Sequence, residues 1–239
     1  DSRPGHYLKH FRGGWHRSGE REEQHPHGVD PEVEKQRIIN TYAMVNLIDK
    51  NVGKILDVLE EEDILEDTII VFTSDHGELL GDHGLWYKGP FYYEGLLNTP
   101  CILKYDGCPI SITEDLFSTI DVFPTVCDLV GISVPGYVDG LSFIDTQKRG
   151  VKRDSCLVEY RNGYGKNDVS SKAIINERYK YVFYETGEEE LTDLKIDPQE
   201  RKNFSRDPDY QSDKKEMKHT LLKEVFSSEI KWPDQITFA

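Results

Sequence analysis

No stretch of this 239-residue chain approaches the ~20 consecutive apolar residues that a membrane-spanning helix needs. The first residues, DSRPGHYLKHFRGG, contain no apolar core of the kind a secretory leader carries. The chain begins without Met, so a leader could have been lost along with upstream sequence. Basic charge is also scarce: 29 Lys and Arg stand against 44 Asp and Glu, for a formal net charge of −15. A nucleic-acid partner is bound chiefly through Lys and Arg neutralising phosphates, so this balance argues against one. An anionic small-molecule substrate would have to meet a local cationic pocket made by a metal, Lys or Arg. The four cysteines (Cys101, Cys108, Cys127, Cys156) form no C-x-x-C pair and no zinc spacing. They read as buried thiols, with a Cys101–Cys108 bridge as the alternative, and leave the compartment open. No internal repeat is present.

What the chain does have is the rhythm of an α/β protein. Residues 1–30 are rich in Gly, Arg and His without hydrophobic periodicity and read as an irregular lead-in. His6, His10, His16, His25 and His27 all fall there and are expected to be loop residues. Ile38, Tyr42, Val45, Val52, Ile55 and Leu59 then recur at helical spacing, with Asp30-Pro31-Glu32 supplying a cap, a first-turn proline and a first-turn acid. The run 68–73 (TIIVFT) suits a strand buried on both faces. A second strand, 101–105, ends at Asp106-Gly107. A short helix over 119–130 contains Pro124 and stops at Gly131, and 133–154 is turn-rich. Beyond it the pattern becomes antiparallel, with strands near 155–160, 172–178, 179–186 and 189–194. Leu221, Leu222, Val225 and Phe226 mark a final amphipathic helix. The expected fold is α/β: part of a doubly wound mixed or parallel sheet with flanking helices over residues 1–150. A small C-terminal α+β lobe, with an antiparallel sheet and a terminal helix, is expected over 151–239.

Ligands of doubly wound sheets bind at the carboxyl ends of the strands. Asp75 and His76 directly follow the strand 68–73 and are expected at that edge, with Gly77 freeing the backbone to turn. A carboxylate beside an imidazole is a sound pair of ligands for a divalent cation. An isolated Asp-His would be read as a turn cap and an exposed histidine. Here the surrounding pattern is long: SDHGE, then GDHG, then LWYKGP.

That pattern resembles the sulfatase family of the alkaline-phosphatase-like superfamily. The likeness continues through TYAMVNLIDKNVGKILDVLEEEDILEDTIIVFTSDHGE, STIDVFPTVCDLVGI, VPGYVDGLSF and EELTDLKIDPQERKNFSRDP. In that family the Asp and the His (or Asn) coordinate the active-site metal, and a Lys contacts the sulfate group. The resemblance therefore implies Asp75 and His76 as metal ligands and Lys88 as a catalytic, sulfate-binding cation. His83 is a further candidate for substrate contact. Calcium is the ion the family usually holds, with magnesium or manganese as alternatives. Glu78 and Asp82 read as solvated or loop-structuring, and Phe91, Tyr92 and Tyr93 as packing. Glu159, Tyr160 and Arg161 leave the first lobe strand and are candidates to face substrate, with a surface salt bridge an equal account of Arg161. The resemblance is compatible with a periplasmic, secreted or lysosomal-type compartment.

The family's nucleophile is a formylglycine made from the first residue of C-x-P-x-R or S-x-P-x-R, and no such segment occurs in these 239 residues. The paired N-terminal Asp ligands are missing as well. The expected activity is hydrolysis of a small-molecule or carbohydrate sulfate ester, with the nucleophile supplied by an N-terminal half or a complementary chain. The isolated chain is expected to be inactive. Two other readings remain: a phosphodiesterase or phosphonate monoester hydrolase of the same superfamily, and a non-catalytic carbohydrate-binding or assembly module.

Overall fold

The computed structural model describes residues 31–150, 152–161 and 170–228. The expectations for Asp30 and for the five histidines of the lead-in lie outside them. Two compact units divide between Ser111 and Ile112.

The first unit opens with helix α1, Pro31–Glu61, whose first turn carries Glu32 and Glu34, acids placed well against the positive end of the helix dipole. Its end is closed by backbone geometry. Asp63 takes a left-handed φ of 57°, so that its N–H reaches the Glu60 carbonyl and the Ile64 N–H reaches Leu59. Strand β1 (Ile70–Thr73) pairs antiparallel with β2 (Cys101–Lys104), Ile70 opposite Lys104 and Thr73 opposite Cys101. This pair is antiparallel, which the expected mixed sheet allows and a purely parallel one does not. β1 is also only half-buried, not covered on both faces, because a two-stranded ladder offers it little cover. The long crossing between β1 and β2 contains α2 (Glu94–Leu97) and supplies the unit's core: Leu79, Leu85, Phe91, Tyr92, Tyr93 and Leu96. Phe91, Tyr92 and Tyr93 are thus packing residues. α1 buries none of its side chains, and its stripe of Tyr42, Val45, Ile48 and Ile55 stays exposed.

In the second unit, α3 (Val122–Leu129) carries Pro124 in its first turn, and Gly131 beyond it takes φ 72°. Asp121, 2% exposed, ties the region together. Its carboxylate accepts from the Ser118 and Leu141 backbones and pairs with Arg153. Helix α4 (Phe143–Arg149) fills part of the stretch expected to be turns. Ser142 caps it by accepting from the Asp145 N–H at 3.2 Å. Seven residues are too few for a helical period to show in the sequence.

The lobe is a four-stranded antiparallel meander: β3 (Cys156–Arg161), β4 (Ser170–Ile175), β5 (Tyr179–Tyr184) and β6 (Glu189–Asp193), in that order. The last helix, α5 (Gln211–Ser228), lays Met217 and Leu221 against Ile174, Tyr181, Leu191 and Phe204. It begins well before its apolar residues, since the polar run DKKEMKH hides the period. The ELTDLKIDPQERKNFSRDP segment is a strap across this core. Asn203 accepts from Leu191 N and Ser205 N, Asp197 accepts from Lys202 N, and Glu200 forms a buried ion pair with Lys180. The fold is mixed α/β with an antiparallel C-terminal lobe and a terminal helix. Among the described residues no helix is long and apolar enough to cross a membrane.

The described cysteines are all free. Cys127 and Cys156 are buried, and burial pushes the Cys156 thiol up to about 11, so it stays protonated and inert. Cys101 is exposed, contrary to the expectation of a buried thiol.

Candidate functional site

β1 ends at Thr73, and the chain turns so that Asp75 and His76 stand just past the strand's carboxyl end. Ser74 stabilises the turn by donating from its hydroxyl to the His76 carbonyl at 2.8 Å. Asp75 Oδ1 accepts from the His76 backbone N–H at 2.9 Å, which leaves Oδ2 3.5 Å from His76 Nε2. His76 Nδ1 lies 2.7 Å from the Gly77 carbonyl oxygen. A carbonyl only accepts, so Nδ1 carries the ring proton and Nε2 presents its lone pair. Lys88 Nζ lies 2.8 Å from that Nε2.

Gly77 is required for a reason other than turning. A Cβ there would overlap the Gly95 carbonyl oxygen and sit 3.2 Å from Leu96 Cα. The close approach is held by the Gly77 N–H donating to Leu96 at 2.8 Å. Its φ is not in the left-handed region. The site's backbone is therefore docked directly on the start of α2.

Lys88 arrives on a returning loop. Leu79 and Leu85 anchor it in the core, Leu79 N–H approaches the Tyr87 carbonyl at 3.4 Å, and Gly81 N–H donates to Leu85 at 2.8 Å. Leu80, His83 and Tyr87 all take left-handed φ values, of 49°, 52° and 64°. Glu78 Oε1 accepts from Tyr87 N at 2.5 Å and from Leu80 N at 3.2 Å, so its expected loop-structuring role is the one observed. Asp82 is exposed and accepts from the His83 backbone N–H.

Asp75, His76 and Lys88 are brought together. The His83 ring stacks on Tyr93 with centroids 3.7 Å apart and planes 7° from parallel, and its side chain is 14% exposed. In the second unit, Glu159 is paired across the strands with Lys172, and Arg161 ends β3.

Among the described residues no group of three or more His, Cys, Asp and Glu side chains is arranged to hold a metal ion. Asp75 and His76 nonetheless fit such an ion as part of its shell. They offer one carboxylate oxygen and one imidazole nitrogen whose tautomer is fixed for ligation.

The family model "Sulfatase" matches residues 6–132, and "N-sulphoglucosamine sulphohydrolase, C-terminal" matches 81–226. The chain belongs to the sulfatase family. It is 34% identical over 170 residues to a choline-sulfatase of Rhizobium meliloti, which covers 70% of this chain and 33% of that protein. A putative sulfatase from Bacteroides thetaiotaomicron superposes with a TM-score of 0.78 at 28% identity, over 84% of this chain and 45% of that one. A phosphonate monoester hydrolase of Agrobacterium radiobacter superposes with a TM-score of 0.69 at 28% identity, over 78% of this chain and 40% of that one. The chain thus spans less than half the length of these relatives. Sulfatases generally use a divalent metal.

Proposed function

We propose that this chain is the C-terminal portion of an enzyme that hydrolyses sulfate monoesters. Asp75 and His76 supply two of its metal ligands, and Lys88 is the cation that meets the sulfate group. The observation that carries the reading is the joint placement of His76 Nε2 and Lys88 Nζ, 2.8 Å apart, with the imidazole tautomer held by Gly77. Sulfuryl transfer builds charge on the non-bridging and leaving oxygens. A fixed ammonium is most effective where it meets that charge without reorganising. Lys88 carries ammonium donors for this purpose, and the backbone of the residue before it, Tyr87, is held by the Glu78 carboxylate. A bound divalent ion would add Lewis-acid polarisation of the same oxygens. Calcium is the proposed ion, since a hard cation takes the Asp75 carboxylate oxygen readily.

The 239 residues contain no C/S-x-P-x-R segment, so the nucleophile comes from other sequence, as do the remaining metal ligands. The uncovered apolar stripe of α1 supports this reading, because exposed apolar surface of that extent marks a place where more protein packs. The functional boundary is proposed at 150/151, where helices give way to the strands of the lobe. The segment before it is fastened to the lobe by Arg153 on Asp121. His83, stacked on Tyr93, is proposed to border the substrate rather than to react with it.

A full-length protein containing this sequence should hydrolyse nitrophenyl sulfate faster than nitrophenyl phosphate or a phosphonate monoester. The second reading, favoured by the superposition on a phosphonate monoester hydrolase, requires the reverse order. The isolated 239-residue chain should show no turnover. Hydrolysis by the chain alone that disappears in Lys88→Ala would refute that part of the proposal.

A further inference from the structure

We infer that Glu78 is the positioning residue for Lys88, acting through the backbone of Tyr87. The inference rests on the sulfate-site reading above and deepens it.

The loop from 79 to 88 must turn back so that Lys88 meets a histidine twelve positions earlier in the chain. Its neck is weak in backbone terms, since the Leu79 to Tyr87 hydrogen bond is long at 3.4 Å. Glu78 closes the neck instead. One carboxylate oxygen takes the Tyr87 N–H at 2.5 Å and the Leu80 N–H at 3.2 Å. Bonds from N–H groups to an ionised acceptor are short and strong. Both residues so held sit at left-handed φ, a conformation that residues with a Cβ rarely adopt unless the surroundings impose it. Tyr87 immediately precedes Lys88, so its φ of 64° sets the direction in which the lysine leaves the loop.

The tyrosine side chain is 52% exposed and does little to hold that conformation. Without the carboxylate, Tyr87 is free to relax to an ordinary negative φ, and Lys88 swings off His76. The loop itself survives, because buried Leu79 and Leu85 and the Gly81 to Leu85 bond anchor its base and tip. Glu78 therefore acts on Lys88 without touching substrate.

The test uses the full-length protein containing this sequence and the variants Glu78→Ala, Glu78→Gln, Lys88→Ala and the double Glu78→Ala/Lys88→Ala. The readouts are kcat and KM on nitrophenyl sulfate, together with hydrogen exchange at the Leu80 and Tyr87 amides. Lys88→Ala should lower kcat on the order of 100-fold. Glu78→Ala should lower kcat about 10-fold or more through misplacement of the ammonium. Glu78→Gln keeps an acceptor oxygen and should stay within about threefold of the parent. The double variant should be no slower than Lys88→Ala, since a residue that works only through Lys88 has nothing left to lose. Exchange at Tyr87 should quicken in Glu78→Ala and not in Glu78→Gln. If Glu78→Ala does not fold, Glu78→Asp, which draws the carboxylate back by one methylene, replaces it with the same expectations. Parental kcat in Glu78→Ala, or losses that add in the double variant, overturn this inference and leave the site reading intact. Parental kcat in Lys88→Ala overturns the site reading and the inference with it.

Discussion

His76 Nε2 and Lys88 Nζ face each other at 2.8 Å while His76 Nδ1 is engaged by the Gly77 carbonyl, so the imidazole lone pair is directed at the lysine. A divalent ion ligated by His76 would use that same lone pair. Ion and ammonium therefore compete for one atom. The 239-residue chain should bind calcium weakly, with a dissociation constant on the order of 10⁻⁴ M or above, since among the described residues Asp75 and His76 are the ligands offered. Lys88→Met removes the competitor and should tighten binding severalfold. Amide and imidazole NMR shifts during a calcium titration measure both, and weaker binding in Lys88→Met would contradict the competition.

Replacing His76 tests what the second ligand must be. The sulfatase pattern accepts His or Asn at this place, and an amide oxygen is a good donor to a hard cation. In the full-length protein, His76→Asn should retain activity to within about tenfold. His76→Leu, which offers no donor, should lose on the order of 100-fold or more. Equal kcat/KM in the two variants would remove His76 from the metal.

Gly77→Ala should damage the site through its scaffold. The added Cβ would meet the Gly95 carbonyl, which is backbone and has little room to move. The Gly77 to Leu96 hydrogen bond would be strained or lost at the same time. A cost of about 2 kcal/mol or more follows from overpacking of this kind. Urea unfolding of the chain checks it, and a variant as stable as the parent would show that the approach is looser than described.

How far the sequence could be read depended on where the determinants lie along the chain. Asp75 and His76 stood out as candidates because they are adjacent and follow a β-branched run. Lys88 stood out as a candidate only through the length of the surrounding pattern. The contact between His76 and Lys88, and the Glu78 clamp, depend on a loop with three left-handed residues that no propensity predicts. The antiparallel pairing of β1 with β2 was hidden for a related reason. Both are short apolar runs, and direction is set by the crossing between them, not by their own residues. The strap over the lobe shows the opposite case. The turn-forming residues Asp197-Pro198 and Asn203 do sit in turns, but the buried partner of Glu200 lies on a distant strand.

That partner is Lys180, 3% exposed beside Glu200 at 4%. A charge so deeply buried is tolerated only while it is paired. Lys180→Met alone should destabilise the chain by about 3–5 kcal/mol, because it leaves the carboxylate without its cation. Adding Glu200→Met should recover most of the loss by making the site apolar. Calorimetric unfolding of the single and double variants decides the matter. A single variant near parental stability would mean the pair is far more hydrated than its exposure implies.

Glu189 gives the lobe a defined response to acid. Burial tends to raise its pKa, yet hydrogen bonds from Lys218, Tyr181 and Lys214 outweigh that and lower it to about 2 from an ordinary 4.5. A carboxylate whose folded pKa is depressed holds extra protein stability above its unfolded value and loses it as pH falls through the folded one. The contribution of Glu189 is therefore complete above pH ~4.5 and disappears between there and pH ~2. Arg178 lowers Asp193 in the same sense, against the raising effect of its burial, so the two carboxylates act together. Glu189→Gln should cost about 1–3 kcal/mol at neutral pH by weakening three hydrogen bonds to a charged acceptor. It should also flatten the acid limb of the stability curve, since the group that takes up the proton is gone. Urea unfolding followed by circular dichroism across that pH range separates the two effects. An unchanged acid limb in Glu189→Gln would place the acid response of the lobe in other carboxylates.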